Sequence, residues 1–336
     1  MKLERHDIGE TFIMRRLSLF KDSKFAVRWN ESAMAYEQKS KTLAIGFGSY
    51  KYEKQAHIER NALQLWAVSK IDKPRIIEEY DMKKYTFKDL RFSPNGKYLT
   101  GAIGEYHLNI WRFDGFLELT RSYHLESVPT ELSWRSDSKY LAASTWDGYV
   151  AILNIDTMKL RYLEIVEDAL WGISWRPDGK IIAVGSNEGY LMFVNPYNGK
   201  VVFKEMWHGD AMHHLRWSPD GKFLVYDQDP WLVFVRQDGD LLGSIFVGGA
   251  DDIEVSPDGR YIAVIHFDKE FSKRVVAILK IRFKQFFGEV LYEDAPIVKK
   301  WPVEGAFDVE WIGGDKLAVL SVEGSLSVID AGTYLR

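Results

Sequence analysis

Cysteine is absent from the sequence. Its absence excludes disulfide staples, thiolate nucleophiles and Cys-ligated zinc. A basic surplus is missing too, since the formal net charge is −4. DNA, RNA and anionic membranes reward a positive field through counterion release, so this chain is expected to bind neither DNA nor membrane, and RNA is disfavoured. No apolar run reaches the roughly 18 residues of a membrane-spanning helix. The first residues, MKLERHDIGE, have no signal-peptide core, which leads to an expectation of a cytoplasmic protein. Glutamine occurs only six times while 27% of residues are charged, a composition suited to a thermophile. Catalytic signatures are also lacking. There is no G-x-S-x-G elbow and no P-loop, and Gly46-Phe47-Gly48 stops short of a dinucleotide fingerprint. No cofactor and no metal site is expected, and no catalytic residue stands out.

What the sequence does contain is a repeat. RFSPNGKYL (91–99), SWRSDSKYL (133–141), SWRPDGKII (174–182), RWSPDGKFL (216–224) and EVSPDGRYI (254–262) share one pattern, with degenerate copies at 310–319 and 28–45. Proline presets φ, Asp or Asn caps the turn, and glycine takes the positive φ of a tight reversal, so each copy reads as a hairpin turn between apolar strands. Taking the residue before each turn as anchor gives Trp29, Phe92, Trp134, Trp175, Trp217, Val255 and Trp311. The central spacings of 38 to 42 residues match a four-stranded propeller blade. A second turn and a third strand follow each hairpin (STWDGYVAIL, SNEGYLMFV, SVEGSLSVI), and then a fourth strand such as GKVVFKEMW (199–207). The last unit ends after its third strand, while TFIMRRLSLF (11–20) near the N-terminus has no partner. The expected fold is therefore an all-β, seven-bladed β-propeller of four-stranded antiparallel blades. It forms one domain over residues 1–336, closed by residues 11–20 as the outer strand of blade seven.

These turns resemble those of the WD-repeat family, over nearly the whole chain. The acid at the second turn (Glu105, Asp147, Glu188, Asp229, Glu323) fits the same pattern, as do the aliphatics three residues on (Leu108, Val150, Leu191, Leu232, Leu326). The Gly-His and Trp-Asp pairs that open and close many WD repeats are missing, and Trp146-Asp147 sits at a second turn instead. The resemblance implies SPDG turns on the bottom face and second turns and inter-blade linkers on the top. It also implies a non-catalytic scaffold for a protein or peptide partner, a monomeric propeller within a larger complex.

Two groups of residues are candidates for function. On the top face, Trp146, Tyr149, Trp171, Tyr190, Trp207, His213, Trp231 and Phe307 form a partner-binding set, because aromatics dominate interface hot spots. Any one of them could instead pack beneath a neighbouring loop. Insertions at 48–61 and 266–274 are expected to project from the same face. The second group comes from aligning the innermost strands on their anchors. Arg28, Asp89, Arg91, Glu131, His214, Arg216, Asp252, Glu254, Asp308 and Glu310 then fall one or three residues before an anchor. Strand periodicity turns those positions toward the central channel. They read as an ion-pair lattice locking the blades, or as a ligand site. The alternative functions are a metal-dependent, lactonase-like hydrolase with its site in the channel, and an RNA-associated propeller. His208, Asp210 and His213 lie close in sequence but lack a recognised zinc spacing. The alternating stretch 280–287 reads as a solvated outer strand.

Overall fold

The SPDG turns fold as their chemistry dictates. In SPDGKF (218–223) the Ser218 hydroxyl donates to Asp220 (2.7 Å) and accepts the Phe223 N–H (3.1 Å), while Asp220 accepts the Lys222 N–H (3.1 Å). Gly221 takes φ +71°. The turn at 256–261 repeats this network around Ser256 and Asp258. Where arginine replaces the serine, Arg135 and Arg176 grip Asp137 and Asp178 through two nitrogens each.

These hairpins seed seven four-stranded antiparallel sheets in a computed structural model that describes residues 14–18, 26–53, 56–69, 75–83, 85–207, 209–286 and 289–335. The inner strands are Ala26–Glu37, Phe87–Phe92, Pro129–Trp134, Leu170–Trp175, Leu215–Trp217, Ala250–Val255 and Ala306–Ile312, in blades one to seven. Blade seven takes its fourth strand from Met14–Ser18, which pairs with Ser325–Asp330. The ring is thus closed by the N-terminal strand, within the segment the sequence suggested. Apart from the short 3-10 turn Gly332–Tyr334, no helix occurs among the described residues.

The core lies in the seams between blades, because alternate side chains of each sheet face opposite neighbours. Phe193, Met212, Trp217, Leu224 and Tyr226 fill the seam between blades four and five. Ile45, Phe47, Leu320 and Leu326 fill the seam that joins blade seven to blade one.

The structure differs from the sequence reading at three places. In blade one, Tyr36 pairs with Leu43, seven residues on, as Trp217 pairs with Leu224. The anchor is therefore Tyr36, not Trp29, and the turn is of ordinary length. Glu37 stands where the serines stand elsewhere and accepts the N–H groups of Lys39 and Ser40. The insertion at 48–61 is no loop: strands Thr42–Glu53 and Ala56–Ala67 pair without interruption up to Glu53 and Ala56. Finally, residues 280–286 of the stretch 280–287 do not form an outer strand. Arg282–Phe286 pairs with Glu289–Asp294 in a separate two-stranded ribbon, and the outer strand of blade six is Ile297–Pro302.

Candidate interaction face and central channel

The inner strands carry a feature that strict alternation hides. Five of them, in blades two, three, four, six and seven, shift register at the same level, between Phe87/Asp89, Pro129/Leu132, Leu170/Ile173, Ala250/Asp252 and Ala306/Asp308. A bulge of this kind re-aims consecutive side chains. Here the acidic residue three before the anchor turns toward the next blade in blades two, three, six and seven, and the residue four before the anchor lies at the top end of the inner strand.

The first position makes clasps. Asp89 accepts the Leu132 N–H (2.7 Å), Glu131 that of Ile173 (2.7 Å), Asp252 that of Val309 (2.8 Å) and Asp308 that of Met34 (2.8 Å). Each carboxylate thus satisfies a backbone donor of the following blade. Ser133 and Ser174, one residue before their anchors, do the same for the N–H groups of Trp175 (2.8 Å) and Trp217 (3.1 Å). Two arginines then tie the channel crosswise. Arg91 reaches Asp89 (3.2 Å), Glu131 (3.4 Å) and Glu254 (3.2 Å), while Arg216 bonds Glu131 and Glu254 (2.8 Å) and lies 4.0 Å from Asp252. His214 Nδ1 is 3.6 Å from Asp252. The channel residues named from sequence are therefore brought together, with one exception. Arg28 was placed by the wrong anchor; the structure puts Ala35 in that slot, and Arg28 belongs to the register-shifted stretch nearer the top.

Six carboxylates share the channel with two guanidinium groups and one imidazole. Burial, with the neighbouring Glu254 carboxylate, pushes Glu310 well above the ordinary carboxylate range; burial and Asp252 do the same for Asp308. Among the described residues Glu310 has no hydrogen-bonding or ion-pairing partner. No group of three or more His, Cys, Asp or Glu with the geometry of a metal site occurs among the described residues.

The position four residues before the anchor carries the aromatic groups of blades four and five. Trp171 holds it in blade four, with Nε1 donating to Asn187 (3.2 Å). His213 holds it in blade five and stacks obliquely on Trp171, 5.4 Å between centroids. Trp146 meets Trp171 edge-on at 5.9 Å from the second turn of blade three. That turn is pinned: Trp146 N–H bonds Val128 O (3.0 Å), Asp147 N–H bonds the Ser127 hydroxyl (3.1 Å), and Thr145 bridges to Tyr149. The three rings thus form one run across blades three to five, ending beside His214 at the channel mouth. Trp146 is 51% exposed. Asp227, 3.7 Å from His213 Nδ1, raises that imidazole above its usual range.

The other predicted residues are dispersed. Tyr149 and Trp207 are half-buried. Tyr190 is half-buried with the Lys204 ammonium 3.8 Å above its ring. Trp231 packs edge-on against the exposed Phe246 (5.3 Å), farther out on blade five. Phe307, expected to be exposed, is buried between blades seven and one among Phe47, Ala62 and Leu320. His208 lies outside the described residues. A further ring cluster on blade two, Tyr85, His107, His124 and Tyr106, was not in the predicted binding set.

The comparisons agree with this architecture. A family model described as the anaphase-promoting complex subunit 4 WD40 domain matches residues 163–210, which is the length of about one blade unit. A chain from a crystal structure of the mitotic checkpoint complex superposes with a TM-score of 0.72 at 14% identity, covering 98% of this chain and 97% of its own. The β-propeller domain of Cps50 (Swd1) from Myceliophteria thermophila gives 0.67 at 12% identity, covering 91% and 99%. Blade count and sheet topology make this chain a seven-bladed β-propeller, and its residues 163–210 are similar to one WD40 unit.

Proposed function

We propose that the protein is a non-catalytic scaffold that engages a protein partner through the top face over blades three to five. The Trp146–Trp171–His213 run carries this reading. Trp146, half-exposed on a pinned turn, and Trp171, partly exposed at the end of an inner strand, supply contact area at little entropic cost, and loops on a rigid ring are where propellers place recognition. That the similar chains include one from a multiprotein complex is consistent with it. The channel supports a hydrolase less well, since four of its carboxylates hold backbone N–H groups of the next blade and two arginines span the rest.

The experiment is affinity capture from the source organism's lysate with three baits. These are the wild type, Trp146→Ala/Trp171→Ala, and Tyr197→Ala as a control on a ring 63% exposed in a bottom-face turn. Partners retained by the wild type and the control but lost from the double variant are the expected result. A partner set that survives the double variant and disappears with Tyr197→Ala overturns the assignment of the face.

A further inference from the structure

Paired and unpaired acids are unevenly distributed around the ring. On the bottom face six turn acids carry their own cations, Asp137 with Arg135, Asp178 with Arg176, Asp220 with Lys222, Asp238 with Arg236, Asp258 with Arg260 and Asp315 with Lys316, while Asp114 and Asp156 have no ion pair among the described residues. The top of blades three to five is different. Glu126, Asp147, Glu167, Glu188 and Asp210 are all exposed there, and none has a side-chain hydrogen bond or ion pair among the described residues. The described turns and linkers of that sector (126–129, 146–148, 165–169, 187–189, 209–214, 229–230 and 247–249) contain neither lysine nor arginine. The nearby Lys204 is spent on the Tyr190 ring.

These acids surround the exposed rings. Asp147 adjoins Trp146, and Glu188 adjoins Asn187, which holds Trp171. The 165–168 linker that carries Glu167 lies against the Trp146 turn, its Ile165 and Val166 N–H groups bonding Gly148 O. The loop before Met212, which carries Asp210, leans on Gly189 in the Glu188 turn.

An isolated carboxylate cluster attracts any cation weakly, and an isolated exposed tryptophan binds any apolar group. Together on one pinned surface they select one chemistry. A guanidinium or ammonium placed over an indole gains quadrupole attraction, and the acidic rim adds a field that steers it there. We infer that the partner of this face is a basic protein segment, extended and rich in arginine or lysine. This inference rests on the top-face reading and specifies its ligand. The same field repels nucleic acid and acidic peptides.

The test is selection from a random peptide library displayed on phage. The wild-type chain, Trp146→Ala/Trp171→Ala, and Asp147→Asn/Glu167→Gln/Glu188→Gln serve as targets, each first checked for an unchanged thermal melt. Peptides selected on the wild type are expected to be enriched in arginine and lysine. A representative basic peptide should lose roughly tenfold in affinity on the tryptophan variant and a similar factor on the carboxamide variant at low salt. Raising the salt to about 1 M should abolish most of the second difference, where the screening length is about 3 Å. Peptides that need the tryptophans but lack basic residues would overturn this inference and leave the top-face reading standing. Peptides indifferent to the tryptophans, or no selectable peptide at all, would overturn both. Self-association of the wild type that both variants abolish would identify a second copy as the occupant and also overturn it.

Discussion

Glu131 makes the most demanding test of the channel. One carboxylate oxygen accepts the Ile173 N–H at 2.7 Å, and the other receives Arg216 and, at 3.4 Å, Arg91. Ile173 is 1% exposed, so no water replaces the lost acceptor. Glu131→Ala should leave that buried donor unsatisfied, at about 1–3 kcal/mol. It should also leave two facing guanidinium groups with one anion fewer. Removing one partner of a buried ion pair costs roughly 3–5 kcal/mol, but Arg91 keeps Asp89 and Glu254, and Arg216 keeps Glu254, so the lower end applies. The expected total is about 4–6 kcal/mol. Glu131→Gln retains an oxygen for Ile173 and loses only the charge, so about 3 kcal/mol is expected. Urea denaturation followed by tryptophan fluorescence, with the slopes compared as well as the midpoints, measures both. If alanine and glutamine cost the same, the backbone clasp contributes nothing. If neither exceeds about 1 kcal/mol, the channel lattice is not what couples blades two to five.

Other outcomes follow from the same geometry. Because Asp308 and Glu310 are raised in the folded state, the native chain holds protons there that the unfolded chain releases. Their contribution to stability is full below about pH 4, the unfolded carboxylate range, and is lost as pH rises through the folded values. Glu310→Gln should therefore flatten the decline in melting temperature above that range, and an unchanged pH profile would contradict this. Phe307→Ala should cost about 3–5 kcal/mol by emptying the seam between blades seven and one, whereas Trp146→Ala should shift the melt little; equal costs would refute the burial contrast. Gly148→Ala should displace the 165–168 linker. Its φ is +80° and an added Cβ would meet Val166 O at 1.7 Å, so a loss of partner capture with a modest drop in stability is expected.

Much of the fold was legible because turns are local chemistry. Ser, Pro, Asp and Gly at fixed offsets force a hairpin wherever they occur, and five copies suffice to count blades. Blade one was misaligned for the same reason. Its true turn, Glu37 to Thr42, has neither proline nor glycine and puts Lys41 at φ +56°, so Trp29 offered a false anchor. The channel set survived because position along a strand sets direction. The clasping role of its acids did not show, since a bulge is a property of pairing and leaves no residue signature. The ribbon at 282–294 was missed because one alternating strand looks like another until its partner is known.

What covers the position four residues before the anchor bears on where the exposed rings fall. The residue four before the anchor is the same slot in every blade, yet its fate depends on what covers it. In blade seven Phe307 is covered, packing with Phe47 and Ala62 of blade one's long hairpin. In blade six Asp251 is held by Arg274, from that blade's own extended hairpin, at 2.7 Å. Blades four and five have short second turns, Ser186–Tyr190 and Gln228–Trp231, and there the slot holds Trp171 and His213, which meet only single polar groups of their own hairpins, Asn187 and Asp227. The two insertions that the sequence suggested as binding arms thus act, at their bases, as covers. They close the slots of blades six and seven, whereas the slots of blades four and five hold the aromatic pair on which the proposed interaction face rests.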